Sequence, residues 1–147
     1  GDQQGQTGNP RGGLSPMGDL VWDEAKFTLG VADMDATHRE FVAQAAAIAV
    51  APDSEFPALF AALREHTRKH FEHEGTLMRA CRFPATGEHE SEHLRILGEL
   101  AHLSLRIGRG RLTMARAYVE GLPSWFSNHL VTMDAALAAC LKSQSRP

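Results

Sequence analysis

Cysteine is scarce in this chain, at two residues in 147. Cys81 and Cys140 are too few for a disulfide framework or a four-thiolate metal site, and they form no Cys-x-x-Cys pair. They read as reduced, mostly buried thiols. Long apolar runs are missing too. The longest, Phe41 to Ala51 with Gln44 inside it, is too short to cross a bilayer. Charge of one sign is also absent: a formal net charge of −3 and a pI near 6.2 leave no electrostatic footprint for nucleic acid or an anionic membrane. No charged-then-apolar leader opens the sequence, so the expected location is cytoplasmic. Proline and glycine are too few, and core formers too many, for a disordered chain. The length allows one core and no second. What the chain has in quantity is histidine, eight residues of a side chain that titrates near neutral pH and is the commonest metal ligand.

Residues 1–16 are Gly-, Gln- and Pro-rich with almost nothing apolar, which reads as a flexible leader, a tag remnant or a linker. Residues 17–147 then form a single domain. Leu20 to Val31, with Trp22 and Phe27, reads as an extended arm packed on it. Four helices account for the remainder. The first is expected over about Asp35 to Val50, capped by Asp33 or Asp35 and stopped by Pro52. The second starts after Ser54, tolerates Pro57 in its first turn and reaches about Cys81. The third covers about Glu88 to Ile107, with Leu94, Leu97, Leu100, Leu103 and Leu105 as apolar positions. The fourth spans about Leu112 to Leu141, with a kink or break expected at Gly121-Leu122-Pro123. No segment alternates with period two. The fold class is therefore all-α, an antiparallel up-down four-helix bundle with an N-terminal arm.

The histidines fall on these helices in pairs. His70 and Glu74 are four apart on the second helix, and His89 and His93 are four apart on the third. A four-residue step rotates about 40° and rises about 6 Å, so each pair projects from one face. His38 lies near the start of the first helix, and His129 and Asp134 lie on the fourth. In an antiparallel bundle, ligands from facing helices meet in the core. One pair alone is weak, since His66 and His70 make another. The strength is in the set, distributed over all four helices. Imidazole together with carboxylate suits iron, and seven ligands exceed what a zinc site needs.

With these residues in place, the chain resembles the hemerythrin family in its bacterial single-domain form. The resemblance covers about Val21 to Leu141. It is carried by Trp22, Gly30-Val31, Asp35-Ala36-Thr37-His38, His70-Phe71 with Glu74, His89 with His93, Trp125-Phe126-Ser127-Asn128-His129, and Asp134. It implies two non-haem iron ions inside the bundle. His89, His93 and His129 would bind one, and His38 and His70 the other, which keeps an open position. Glu74 and Asp134 would bridge both, with an oxo or hydroxo ligand completing the bridge. The implied activity is reversible binding of dioxygen at the open position, for storage, delivery or sensing. Phe126, Phe71 and Leu97 are candidate walls of the oxygen pocket.

The chain departs from the family pattern at three places. Gly75 follows Glu74 where a second acidic residue is common, Phe126 replaces a smaller aliphatic residue, and Pro123 precedes His129. The pair His129 and Asp134 also poses a geometric problem. Five residues of regular helix rotate the second side chain about 140° away from the first, so a sideways reach or a local π-turn is needed. Of the other histidines, His66 is not expected to be a ligand, and His73 and His102 read as surface or supporting residues. Acceptors are expected behind the metal-bound imidazoles.

Other chemistries fit less well. His89-Glu90-Ser91-Glu92-His93 matches the zinc-protease pattern, but Ile96 and Glu99 stand where the longer motif needs Gly and His. The two Glu-x-x-His matches needed for a ferritin-like site, Glu90/His93 and Glu99/His102, share one helix. The rival within the fold is a di-iron redox enzyme or sensor acting on dioxygen, peroxide or nitric oxide. No general acid or base beyond the ligands is evident, which favours binding over turnover.

Overall fold

A computed structural model describes residues 22–144, so the leader at 1–16 and the first residues of the arm lie outside the described part. Six α-helices follow in order: α1 (Glu24–Phe27), α2 (Ala32–Ala49), α3 (Phe56–Cys81), α4 (Thr86–Gly108), α5 (Thr113–His129) and α6 (Ala135–Gln144). A five-residue π segment, Leu130–Asp134, joins α5 to α6 without a loop. No strand occurs among the described residues. Packing runs α2 on α3, α3 on α4, α4 on α5 and α5 back on α2, the closed ring of an antiparallel up-down bundle.

Each helix exists for a local reason. Pro57 sits in the first turn of α3, where its missing N–H is one the helix would leave unpaired in any case. At the other end Arg82 takes the left-handed conformation, φ 54°, and Phe83 N–H reaches back to the Met78 carbonyl at 2.9 Å. That pairing closes α3 as a Schellman turn, usually glycine's role. Helix α4 buries His89, His93, Ile96, Leu100 and Leu103, one face at helical spacing. Leu94 and Leu105, expected in the core, point to solvent instead, 70% and 66% exposed. They lie off the face that His89 and His93 share with Ile96 and Leu100.

Two other expectations are corrected. The arm is not fully extended, because Glu24–Phe27 makes one helical turn capped by Asp23. Helix α2 begins at Ala32, ahead of both proposed caps, and Val31 provides no side-chain cap. Asp35, now inside the first turn, uses its carboxylate differently. It accepts from Leu29 N–H at 2.8 Å and Gly30 N–H at 3.1 Å, which pins the arm over the helix start. Gly30 adopts φ 85°, a region that side chains resist. Nor does the chain break at Pro123. Helix α5 runs through it, and the irregularity falls later, at Leu130–Asp134.

The apolar interior is divided. The larger cluster is built on Phe41, Phe56, Phe60, Leu63, Leu100 and Phe126, and the smaller on Met34, Met78, Cys81, Leu137 and Ala138. Burying side chains of this size contributes roughly 1.5–3 kcal/mol each. Nine buried polar side chains interrupt that interior, and seven of them are the histidines and carboxylates picked out above.

Candidate metal centre

Those seven side chains meet at one level of the bundle. His38 comes from α2, His70 and Glu74 from α3, His89 and His93 from α4, and His129 from the last residue of α5. Asp134 closes the π segment, where the Ala135 N–H pairs with the Leu130 carbonyl, five residues back. A π turn brings residues five apart onto one line. His129 Nε2 and Asp134 Oδ1 accordingly stand 3.2 Å apart.

The carboxylates divide the histidines between them. Glu74 Oε2 lies 3.5 Å from His38 Nε2 and 3.0 Å from His70 Nε2. Its other oxygen, Oε1, lies 3.2 Å from both His89 Nε2 and His93 Nε2. Asp134 repeats the division, with Oδ2 3.2 Å from His38 Nε2, and Oδ1 3.1 Å from His89 Nε2. Two overlapping donor groups result. One is Glu74, His89, His93, His129 and Asp134; the other is His38, His70, Glu74 and Asp134. Both carboxylates belong to each group.

The electrostatics are those of a site built for cations. Burial alone pulls the His38 and His89 imidazoles down, but the Asp134 and Glu74 carboxylates beside them win and push both up to about 9. His93 is lowered by its burial, which Glu74 only partly opposes. Burial raises Glu74, yet the ring of imidazoles holds it well below the carboxylate range. Asp134 is likewise depressed, although burial and the Glu74 charge oppose that.

Close approach has not produced hydrogen bonds. Nε2 of His38, His89, His93 and His129, both Glu74 oxygens and Asp134 Oδ1 are buried without a hydrogen-bond partner. Leaving a buried polar atom unpaired costs about 1–3 kcal/mol. Seven such atoms converging from four directions, imidazole nitrogens and carboxylate oxygens together, fit the donor set that metal cations need. The acceptors expected behind the rings are not found: Nδ1 of His38, His70, His89 and His129 has no partner among the described residues.

Aromatic packing orients the imidazoles instead. Phe71 lies flat on His93, centroids 3.7 Å apart and planes within 4°, and Trp125 stacks on His129 at 4.8 Å. The Trp125 indole N–H donates to Glu92 Oε2 at 2.7 Å. Phe126 meets His38 edge-on at 5.8 Å and is itself wedged between Phe27 and Phe41. A small cavity, with about 10 Å³ of room for the centre of a water-sized sphere, opens beside His38 and His70. Phe126, Phe71, Phe41, Thr67 and Trp125 line it, together with His129 and Asp134. Leu97 does not; it lines an outer cleft of about 350 Å³ with Phe71, His93 and Glu90. Phe41 and Thr67 escaped notice in the sequence, although each lies three residues from a candidate ligand, after His38 and before His70.

The other histidines stay outside both groups. His66 is half-buried and directs Nε2 toward the Thr37 carbonyl at 3.4 Å, and His73 and His102 are exposed. Exposed Glu90 lies on the outer cleft with His93 and belongs to neither donor group.

Comparison with known proteins gives a family to this geometry. Residues 29–141 match the hemerythrin HHE cation binding domain. The chain belongs to the hemerythrin family. A bacteriohemerythrin of Ralstonia nicotianae is 33% identical over 122 residues, covering 83% of this chain and 88% of that protein. Among solved structures, a wild-type hemerythrin shares the fold with a TM-score of 0.75 at 22% identity, over 84% of this chain and 98% of its own. A hemerythrin with a leucine-to-tyrosine substitution gives the same TM-score at 22% identity, over 85% and 98%. No helix among the described residues is long and apolar enough to cross a membrane.

Proposed function

We propose that this hemerythrin holds two non-haem iron ions and binds dioxygen reversibly, for storage, delivery or sensing. The observation that carries the reading is the unequal division of donors around two shared carboxylates. His89, His93 and His129 hold one iron, His38 and His70 hold the other, and Glu74 and Asp134 bridge them with an oxo or hydroxo group between. The cavity is bordered by His38 and His70, both imidazoles of the smaller group, and by His129 alone of the three in the larger, which supports a small ligand's place beside the smaller group. When bound, the iron pair supplies the electrons that hold dioxygen.

The chain's own residues do the remaining work. Glu74 and Asp134 offset the repulsion between two cations held close together. Phe126, Phe71, Phe41 and Trp125 keep water away from the cavity, so that a bound ligand leaves as it arrived rather than as a protonated product. Thr67 offers no free proton there, because its hydroxyl donates to the Leu63 carbonyl at 2.7 Å. No side chain lining the cavity, ligands apart, is a carboxylic acid or a lysine.

The deciding experiment is iron per chain, followed by visible absorption of the anaerobically reduced protein before and after oxygen is admitted. Two irons and a charge-transfer band that appears with oxygen and vanishes on purging establish reversible binding. Two irons that oxidise at once without such a band indicate a redox enzyme or a sensor of peroxide or nitric oxide. A chain without iron refutes the assignment.

A further inference from the structure

The two cysteines, 59 residues apart in sequence, are neighbours in the fold. Cys81 is the last residue of α3, and Cys140 lies in α6. Cys140 Sγ donates to the carbonyl oxygen of Cys81 itself at 3.3 Å, which sets its sulfur against the residue that carries the other thiol. They differ in access, since Cys81 is buried at 3% exposure while Cys140 is half-exposed at the rim of the smaller apolar cluster. Neither belongs to the metal centre, and nothing in the oxygen-binding reading uses them.

We propose that Cys81 and Cys140 form a reversible disulfide that staples the end of α3 to α6. The oxidant is a low-molecular-weight disulfide such as oxidised glutathione. The Cys140 thiol loses its proton and attacks one sulfur, which breaks the small disulfide and releases one thiol. Cys81 then loses its proton and attacks the Cys140 sulfur, expelling the second thiol as the protein S–S bond forms. Two protein thiols are oxidised and one small disulfide is reduced to two thiols. Burial pushes the Cys81 thiol up to about 11, so little of it is thiolate near neutral pH and the more accessible Cys140 makes the first attack.

The position of the staple gives it a consequence. Cys81 lies seven residues after Glu74 on the same helix, and Cys140 six residues after Asp134. The bond would therefore fix α3, which carries Glu74, to α6, which begins directly after Asp134, just beyond the site. It would also close a long loop, the case in which a cross-link most constrains the unfolded chain.

The test is incubation of the full-length protein in glutathione buffers of graded ratio, followed by acid quench, intact mass and a non-reducing peptide map. The expected product has lost two hydrogen atoms, contains a Cys81–Cys140 linked peptide, and melts at least about 5 °C higher until dithiothreitol reverses it. Cys81→Ser should stop at a stable glutathione adduct on Cys140, and Cys140→Ser should stay unmodified. A wild-type chain that accumulates the Cys140 adduct, dimerises through Cys140, or keeps both thiols free in fully oxidised buffer overturns the proposal. The mass and the peptide map do not depend on bound metal, and the melting shift is read at one fixed metal content.

Discussion

On the proposed reading, Phe126 stands at the wall of the cavity in which a diatomic ligand has to fit. Its ring touches His38, Phe27 and Phe41, and the cavity beside it is barely large enough for one water. Phe126→Leu removes part of that wall without touching a donor atom. Iron per chain should stay as in the wild type, while the autoxidation rate of the oxygenated protein changes severalfold; an unchanged rate takes Phe126 out of the ligand's path. Glu74→Ala is the opposite experiment, because one side chain serves both donor groups. Iron content should fall by half or more and the spectrum of a coupled pair should disappear. His66→Ala should leave iron content alone, since His66 turns toward the Thr37 carbonyl. The candidate ligands were legible because four-residue spacing reports a shared helix face without reference to any other helix. The stacking of Trp125 on His129 was not, nor was the direction of Leu94, since each depends on which neighbour a side chain meets.

Helix boundaries were readable at Pro52 and Pro57 because proline acts locally. The apparent break at Pro123 was not, since tertiary packing carries a helix through a missing hydrogen bond that an isolated helix would not survive. The π segment was legible only as a requirement, posed by five-residue spacing between two side chains expected to face one site. It is also the element most open to test. Deleting Thr132 lets Leu130–Asp134 close as regular helix and leaves the aspartate four residues after His129, the spacing that puts His70 and Glu74 on one face. Circular dichroism should show the helix content retained and iron per chain should stay near the wild-type value; a loss of iron would mean that the aim of the aspartate does not follow from its spacing to His129 alone. Arg82 offers a separate check on α3. Glycine meets its left-handed conformation without a Cβ clash, so Arg82→Gly should raise stability by about 1 kcal/mol in urea denaturation.

For the molecule as a whole, the polar layer makes stability a function of pH and metal together. In the metal-free chain His38 and His89 are raised to about 9, so their contribution is complete below about 6.5 and lost as pH climbs through 9. Glu74 and Asp134 are depressed, and theirs is present above the ordinary carboxylate range and lost only as pH falls well below it. Between pH 6.5 and 9 the urea midpoint of the metal-free protein should therefore fall. That of the metal-loaded protein should not, because cations take imidazoles in the neutral form and bind better as protons leave. Parallel declines would argue against these imidazoles as ligands. The divided interior has a different consequence. With seven ionisable groups lying between two apolar clusters that do not merge, the bundle has a seam across its waist, and whatever neutralises those groups holds it shut. A chain deprived of that counter-charge opens along the seam first and presents its helix ends to proteases. Its lifetime in the cell would then track the supply of its metal, with no change in the rate at which it is made.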